Sequence, residues 1–554
     1  MKFVKLSTLV ILFVLVKSSL FAQNYNADYT NPIHLDLLLS GNYGELRPNH
    51  FHSGIDIKTN GRINQELFSI EEGYVSRINV SPWGYGKAIY ITHPNGFTSV
   101  YAHCNKFNTE IETYIKSLQY SVKTYAIDTL LPKDFIKVKK GEFIAFSGNS
   151  GNSFGPHLHF EIRTSDTEHP INPLLFGFKV KDNKAPIIYN LVLYDINNKK
   201  SRINSVKNSR LATDTFTVSS VTGFGIEVYD YLDLTPNKCA PYKLSMYKNN
   251  KLVFSFVADE FDFEQKRYVN SHIDYARYLK TKKKVHKLYV EPNDKFSLYR
   301  NVINKGLIYL EKNETANIKI IAEDFNENKT TLNFVVKSNS NIKTKKQVQS
   351  KYFMRYREEN SFVNDSIKIT IPKNALYNNL EFRYKYTGYG KYKISDELIP
   401  LHKKIKVEIK PVGIDKSLIN KTIVVRISRK GRAQALLSEY DGKYISTMSD
   451  KFGVFRLQTD TIKPRIKPIN IYPDAKFIKD NKIKFKITDN LSGIMSYNGY
   501  IDGKWVLFEY DAKKASIYYY FDEQVPALQK YYNLKLIVKD AVGNAAEYKV
   551  RFFH

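Results

Sequence analysis

Hydrophobic and polar residues alternate along much of this chain, and a period of two is typical of β-strands. In one stretch, Leu158 and Phe160 alternate with three polar residues, which are His157, His159 and Glu161. The pattern predicts a strand whose apolar side chains enter the core. Both histidines then lie side by side on the opposite face.

Short alternating runs recur through residues 181–554. They are rich in Ile, Val, Tyr and Phe and are separated by Asn, Asp and Gly turns; examples are 318–322, 367–371 and 483–487. Such runs are typical of β-sandwiches. We therefore expect a mostly β chain, with an N-terminal domain built on antiparallel, barrel-like β-sheet followed by about three β-sandwich modules.

Two of these modules share local sequence features. Residues 324–328 and 540–544 both read Asp-x-x-x-Asn, a turn between two strands, and Pro186 and Pro464 each open a module. The repetition predicts two immunoglobulin-like sandwiches. The β-rich module between them carries no pattern that identifies a function.

A helix is predicted inside the N-terminal domain. Residues 109–112 read Thr-Glu-Ile-Glu, which fits a capping box, and apolar residues recur at helical spacing over 111–118. We expect a helix near 110–121, within an insertion near 105–135. It either walls or covers a substrate groove, or it simply packs on the edge of the sheet.

The first residues have the form of a secretory signal peptide. A basic start at 1–5 precedes a short apolar run at 9–16 and a small-residue site, with cleavage expected after Ala22. The run is too short for a membrane span. We expect an exported protein of the periplasm or cell envelope, with secretion as the alternative.

The positive charge lies in the C-terminal part. The chain carries +29, yet residues 23–180 contain 14 Lys and Arg against 15 Asp and Glu, whereas 181–554 contain 67 against 40. A field of that sign draws a protein toward anionic polymers of the envelope. The alternative is a compositional bias toward Lys, Asn, Ile and Tyr. Nucleic acid is not an expected partner, because no reader motif is present.

The chain has two cysteines, Cys104 and Cys239. They fall in different expected domains, and an oxidising compartment permits a disulfide between them, although nothing in the sequence favours it. Burial as a small apolar residue is the expected role of Cys104.

Four histidines and an aspartate suit one metal site. Catalytic zinc usually takes three ligands of the His, Asp or Glu type and leaves a fourth position for water. His52, Asp56 and one residue of the pair His157 and His159 fill those positions, and the other imidazole of the pair faces the reaction with His103. The alternative is that each histidine is an ordinary hydrogen-bonded residue.

Residues 46–163 resemble the lysostaphin-type zinc endopeptidases of bacterial cell walls, the M23 peptidases. The matching segments, in order, are 52–57, 84–93, 101–103, 138–142 and 147–151 running into 157–161. By that resemblance zinc is held by His52, Asp56 and His159, and His103 and His157 are the catalytic imidazoles. All five family positions are present.

The resemblance implies a mechanism. Zinc lowers the pKa of a bound water to about 7 and polarises the scissile carbonyl. His103 and His157 would orient the water, stabilise the oxyanion and pass a proton to the leaving amine. Glu161 is either a partner that supports the site or an exposed strand carboxylate. His50 is expected at the rim, and His93 is expected to be structural.

Two functions remain open at this stage. One is an endopeptidase that cuts peptide cross-links or stem peptides of peptidoglycan, at glycine bridges or, as we expect, at D-alanyl links. The other is a non-catalytic peptidoglycan-binding or hydrolase-activating protein. The expected organisation is a signal peptide (1–22), an M23-like zinc peptidase domain (23–180), an immunoglobulin-like sandwich (181–340), a β-rich module (341–462) and an immunoglobulin-like sandwich (463–554).

Overall fold

The computed structural model describes residues 25, 28–338, 352–477, 481–526 and 528–554. The expected signal peptide and the expected boundary at 340/341 lie outside these residues. Strands hold 48% of the chain and helices 9%, so the expectation of a mostly β fold is confirmed. Within the described residues, no helix has the length and apolar character needed to cross a membrane.

The N-terminal region is built on a large antiparallel sheet. The strands of the whole N-terminal region, in chain order, are β1 (Leu39–Gly41), β2 (Leu46–Arg47), β3 (His50–Phe51), β4 (Ile55–Lys58), β5 (Glu66–Phe68), β6 (Gly73–Val80), β7 (Lys87–Thr92), β8 (Phe97–Cys104), β9 (Lys106–Phe107), β10 (Ile127–Leu130), β11 (Lys137–Val138), β12 (Phe143–Phe146), β13 (His157–Thr164) and β14 (Pro170–Ile171).

The order in the nine-stranded sheet is β1-β4-β13-β8-β7-β6-β10, with β11 on β6 and β14 on β13. A smaller sheet has the order β5-β12-β9, and β2 pairs with β3. The expected antiparallel sheet is present, and it closes no barrel among the described residues. The large sheet stays open because β1 pairs only with β4, and β10 only with β6.

The centre of this sheet is where the predicted histidine strand lies. Strand β13 runs between β4 and β8, with His159 opposite Asp56 on one side and Ala102 on the other. Leu158 and Phe160 are fully buried behind the sheet, as the alternation predicts. The register therefore brings segments about a hundred residues apart to one face.

Helix α1 (Thr109–Val122) occupies the place predicted for a helix. The sequence-based cap is wrong by one residue, because the side chain of Asn108, not Thr109, accepts from the N–H of Ile111. Glu112 instead accepts from the N–H of Phe107. Ile111 and Ile115 are buried and fix the helix to the domain core.

The second module consists of two six-stranded sheets, ordered β17-β16-β15-β19-β22 with β24 on β19, and β18-β26-β25-β20-β21-β23. Its elements are β15 (Ile187–Asp195), β16 (Lys200–Lys207), β17 (Arg210–Leu211), β18 (Thr215–Val218), β19 (Val221–Tyr229), β20 (Lys243–Lys248), β21 (Lys251–Val257), α2 (Val269–His272), α3 (Tyr275–Thr281), β22 (Val285–Lys287), β23 (Tyr299–Arg300), β24 (Ile308–Tyr309), β25 (Thr315–Glu323) and β26 (Lys329–Ser338).

The third module pairs a sheet of order β28-β29-β33-β37-β36 with one of order β31-β32-β38-β34-β35, beside the two-stranded antiparallel pair of β27 and β30. Its strands are β27 (Phe353–Met354), β28 (Asn360–Val363), β29 (Ile367–Ile371), β30 (Leu380–Glu381), β31 (Tyr384–Tyr386), β32 (Tyr392–Ile394), β33 (Pro400–Ile409), β34 (Thr422–Ile427), β35 (Ala433–Leu436), β36 (Ser438–Tyr440), β37 (Ile445–Lys451) and β38 (Gly453–Thr459).

The C-terminal module has sheets of order β39-β41-β45-β44 and β40-β47-β46-β42-β43. Its strands are β39 (Arg465–Pro468), β40 (Ala475–Lys476), β41 (Lys482–Thr488), β42 (Ile494–Ile501), β43 (Lys504–Val506), β44 (Phe508–Asp511), β45 (Ser516–Tyr520), β46 (Tyr531–Asp540) and β47 (Ala545–Phe553). Short 3₁₀ helices span Pro173–Phe176, Phe263–Tyr268, Asn304–Gly306, Lys416–Lys421 and Ala512–Lys514.

The hairpin of β2 and β3 belongs to two units at once. Leu46 and Phe51 are buried in the core of the second module, and the ring of Phe51 stacks on Phe296 with centroids 4.4 Å apart. Residue 52, the first expected metal ligand, follows this hairpin directly. Cys104 and Cys239 are free thiols that share the core of the N-terminal domain.

Candidate metal centre

Three side chains converge where β4 and β13 meet. Nε2 of His52 lies 3.0 Å from Nδ1 of His159, and Oδ1 of Asp56 lies 3.1 Å and 2.8 Å from these two nitrogens. All three residues are buried. Gly54 allows this approach, because a Cβ there would lie 2.2 Å from the carbonyl oxygen of Phe160 on β13.

This donor set fits zinc. Two imidazole nitrogens and one carboxylate oxygen are ligands that zinc prefers, at bonds of about 2.0–2.2 Å. Atoms about 3 Å apart can all reach one ion at that range, and the three residues form a group able to hold a metal. These are the three ligands that the family resemblance implies, whereas the residue spacing alone left His157 and His159 as alternatives for the third position.

Each of the two candidate histidine ligands has its second ring nitrogen bonded to an oxygen. Nδ1 of His52 lies 2.7 Å from the carbonyl oxygen of Asn42, and Nε2 of His159 lies 2.7 Å from Oε1 of Glu161. Those oxygens only accept, so each ring donates there and keeps its other nitrogen free for a metal. Such partners fix the tautomer and orientation of metal-binding histidines.

Glu161 is fully buried, which excludes the exposed strand carboxylate. Besides His159, it accepts hydrogen bonds from Ser53, from Tyr85 at 2.6 Å and from Arg163 at 2.7 Å. Burial opposes its ionisation, but Arg163 and His159 hold its pKa well below the usual range. The carboxylate is therefore a charged anchor for His159.

His103 and His157 flank the three candidate ligands, with their ring centroids 4.8 Å apart. Nδ1 of His103 lies 2.9 Å from the carbonyl oxygen of Ser150, and Nδ1 of His157 lies 2.9 Å from that of Gly155. Nε2 of each ring is thereby left for other partners, and that of His157 lies 3.4 Å from Oδ1 of Asp56.

His103 has an unusual backbone conformation. Its φ is 61°, in the left-handed region that residues other than glycine rarely adopt. The pairing of β7 with β8 shifts register between Lys87 and Ile89, opposite this end of β8. Strained backbone of this kind clusters at functional sites, where the surrounding structure enforces it.

Arg47 is a residue that the sequence analysis missed. Its guanidinium contacts Oδ2 of Asp56, whereas Oδ1 faces the two candidate histidine ligands, and it lies 3.4 Å from Glu45. Burial works against the charge of Asp56, but the three neighbouring histidines hold its pKa well below the usual range. No local pattern marks Arg47, because its partner lies nine residues away on another strand.

The imidazoles differ in their affinity for protons. Burial, with the charge of Arg47, lowers the pKa of His52 to about 4. Burial, with the nearby imidazoles of His159 and His157, lowers the pKa of His103 to about 3. Burial also opposes protonation of His159, but its hydrogen bonds to Asp56 and Glu161 raise its pKa to about 9. A zinc ion held at Nδ1 of His159 would take the place of that proton.

His93 and His50, the two other histidines considered in the sequence analysis, lie outside the candidate metal centre. His93 is buried and bonds Glu72 and Ser99 at 2.8 Å, which is a structural role. His50 is exposed and bonds the carbonyl oxygen of Pro48. Neither ring takes part in the group of three candidate ligands.

Two family models match this chain. The model described as peptidase family M23 matches residues 50–125 and 116–173, and the model described as a Zu5-like domain matches residues 351–460. The second match falls on the module for which the sequence analysis found no identifying pattern.

Curated proteins match the same N-terminal region. An uncharacterized metalloprotease of Haemophilus influenzae is 29% identical over 131 residues, which is 24% of this chain and 21% of that protein. The DD-carboxypeptidase/endopeptidase Mpg of Neisseria meningitidis is 33% identical over 91 residues, 16% of this chain and 15% of that protein. The matches thus span about a fifth or less of these relatives.

Among solved structures, the catalytic domain of the antimicrobial peptidase lysostaphin from Staphylococcus simulans is 23% identical. The match covers 24% of this chain and 87% of that one, with a TM-score of 0.19.

Proposed function

We propose, from the peptidase M23 domain that residues 50–173 form, that this chain is an exported zinc endopeptidase acting on the peptides of peptidoglycan. The observation that carries the proposal is the triangle of His52, Asp56 and His159 with two further imidazoles beside it. Histidines with purely structural roles would have no reason to bring their ring nitrogens together around one point.

His52, Asp56 and His159 would hold the zinc. When bound, zinc supplies a Lewis acid that activates water and polarises the scissile carbonyl. His103 and His157 each offer Nε2 toward the substrate, because Nδ1 of each is committed to a carbonyl oxygen. A neutral ring accepts a proton at Nε2, and a protonated ring donates one to an oxyanion or to the leaving amine.

The proposed substrate is a D-alanyl peptide link, either in a cross-link or in a stem peptide. The name of the Neisseria relative includes DD-carboxypeptidase and endopeptidase activities, and that relative matches within the candidate catalytic region. The expected signal peptide supports the periplasm or cell envelope as the place of action.

The alternative is a non-catalytic protein that binds peptidoglycan or activates another hydrolase. Such a role requires the fold but not the complete donor set. The intact ligand triangle and the two ordered imidazoles therefore favour the enzyme.

Purified sacculi distinguish the two functions. The full-length protein should release new amino termini from sacculi, and a chelator or the substitution His159→Ala should stop the release. The exposed His50 provides a matched control, since His50→Ala should retain activity. Binding without release by a fully zinc-loaded protein would establish the non-catalytic role.

We also propose an anionic wall polymer as a partner of the C-terminal module. One face of its sheet carries a basic group of side chains, which are Arg465, Lys467, Lys482, Lys484 and Lys486. None of the five has an ion-pair partner among the described residues. Lys467 lies directly opposite Lys486, a destabilising placement for like charges.

Two tyrosine rings lie within this basic face. The ammonium groups of Lys482 and Lys484 lie 5.3 Å and 5.4 Å from the ring centroids of Tyr520 and Tyr518.

Lys467→Gln combined with Lys486→Gln should weaken sedimentation with sacculi that retain their anionic polymers. Lys535→Gln is the control, because the ammonium of Lys535 already pairs with Glu547. Equal binding to polymer-stripped sacculi would refute this partner.

A further inference from the structure

The C-terminal module lies against the M23 domain. Asp522 accepts a hydrogen bond from Tyr120 of α1 at 2.6 Å and pairs with Lys116 at 3.2 Å. The rings of Tyr120 and Trp505 meet edge to face, 5.4 Å between centroids. Helix α1 therefore has contacts on both sides, with the domain core and with this module.

One arm of the module reaches the loop before β13. The arm comprises β44, the following 3₁₀ helix and the start of β45, residues 508–516. At its tip, Nζ of Lys513 donates to the carbonyl oxygen of Asn149, to its side-chain oxygen at 3.1 Å and to the carbonyl oxygen of Ser153 at 3.1 Å. The three protons of the ammonium are thus used on one loop.

That loop, residues 148–156, orients both flanking imidazoles. Its Ser150 and Gly155 supply the carbonyl oxygens that accept from Nδ1 of His103 and His157. The hydroxyl of Ser153 lies 3.2 Å from Nδ1 of His157. The residues that Lys513 binds are therefore next to, or the same as, those that hold the rings.

A second connection runs from the same arm to the same loop. Glu509 pairs with the buried ammonium of Lys87 at 3.5 Å. The backbone N–H of Lys87 donates to Oγ of Ser150 at 2.9 Å, and that hydroxyl donates to the carbonyl oxygen of Cys104, beside His103. The other acid near Lys87 is Glu112 of α1, at 4.0 Å.

We infer that the C-terminal module completes the catalytic site, with Lys513 and Glu509 as positioning residues that fix the loop of residues 148–156 and thereby the rings of His103 and His157. The inference rests on the proposed function for its kinetic consequence.

The kinetic test uses full-length, zinc-loaded protein and a defined cross-linked muropeptide. Lys513→Met should lower kcat about 10-fold while KM changes little, because a misplaced catalytic group costs rate rather than binding. Lys513→Arg should restore most of the rate, since it keeps the donors. Lys514→Met is the matched control, because Lys514 is exposed and, among the residues that the structure describes, forms an ion pair only with Asp511. Equal kcat for the two methionine variants overturns the inference.

A second test needs no activity. Nuclear magnetic resonance of the labelled imidazoles in zinc-loaded protein should show shifted signals of His103 and His157 in Lys513→Met and Glu509→Gln, and unchanged signals in Lys514→Met. Zinc content should stay the same in all three. Unchanged ring signals in the first two variants refute the inference. Shifted signals in a protein that cleaves nothing would uphold it while refuting the proposed enzyme.

Discussion

The carbonyl oxygen of Asn42 lies 2.7 Å from Nδ1 of His52, and the side-chain amide of Asn42 is bonded in turn to both backbone groups of Ala240. Ala240 belongs to the second module. A residue of the N-terminal region thus orients a candidate metal ligand while its own side chain is bonded to the second module.

Asn42→Ala should weaken zinc binding. The variant keeps the backbone carbonyl but loses the two bonds, at 2.7 and 2.8 Å, that fix its position. Loss of such supporting contacts typically lowers metal affinity by about 10- to 100-fold. Competition with a zinc chelator measures the change. Asn95→Ala, at an exposed bond to Tyr29, is the control; equal affinities for both variants would contradict the role given to Asn42.

Phe51→Ala should destabilise the M23 domain and the second module together. The ring is 1% exposed and packs on Phe296, and truncating a buried phenylalanine costs about 3–5 kcal/mol. Calorimetry should show the transitions of both units at lower temperature, with Phe51→Leu much closer to the native protein. A change in only one of the two transitions would show that the shared core does not couple them.

His103→Ala and His157→Ala should each abolish most turnover while zinc content is retained. Neither ring is among the three candidate ligands, and positioned acid–base groups contribute about 10²–10⁴-fold in rate. His52→Ala should instead lose the metal. Metal analysis beside turnover on muropeptides separates the two classes. A variant of His103 or His157 that loses its zinc would move that residue into the ligand set.

Where the information is local, the sequence predicts the elements that carry the candidate site. The alternation around His157 and His159 sets one strand face, and the helical spacing of Ile111 and Ile115 sets a helix. Asn108 was missed as the cap because Thr109 also fits that role, and the choice depends on where the chain turns.

What the sequence does not predict depends on contacts between distant units. Arg47 contacts Asp56 only because separate strands pack together, and Lys513 contacts Asn149 only because separate modules do. The open edges of the large sheet depend on pairings that no local pattern encodes. Periodicity predicts which face a residue occupies, but not which module covers it.

Asp230 should make the second module less stable as the pH rises. Burial, with the charges of Asp182 and Asp324, raises the pKa of Asp230 to about 8. The folded state therefore keeps a proton that the unfolded chain releases near its ordinary pKa, so stability is highest at low pH and falls until about pH 8. Asp230→Asn removes the charge, and Asn still accepts the N–H of Tyr231.

Thermal unfolding of the two proteins should therefore agree near pH 4 and diverge by several degrees near pH 9, with the variant more stable. A chelator keeps stray divalent cations from neutralising the three carboxylates. Asp233→Asn is the control, because that carboxylate is exposed and its pKa is lowered by bonds to Asn183. If the difference in unfolding temperature between Asp230→Asn and the native protein stays constant with pH, the pKa of Asp230 is not raised in the folded state. The prediction would then be wrong.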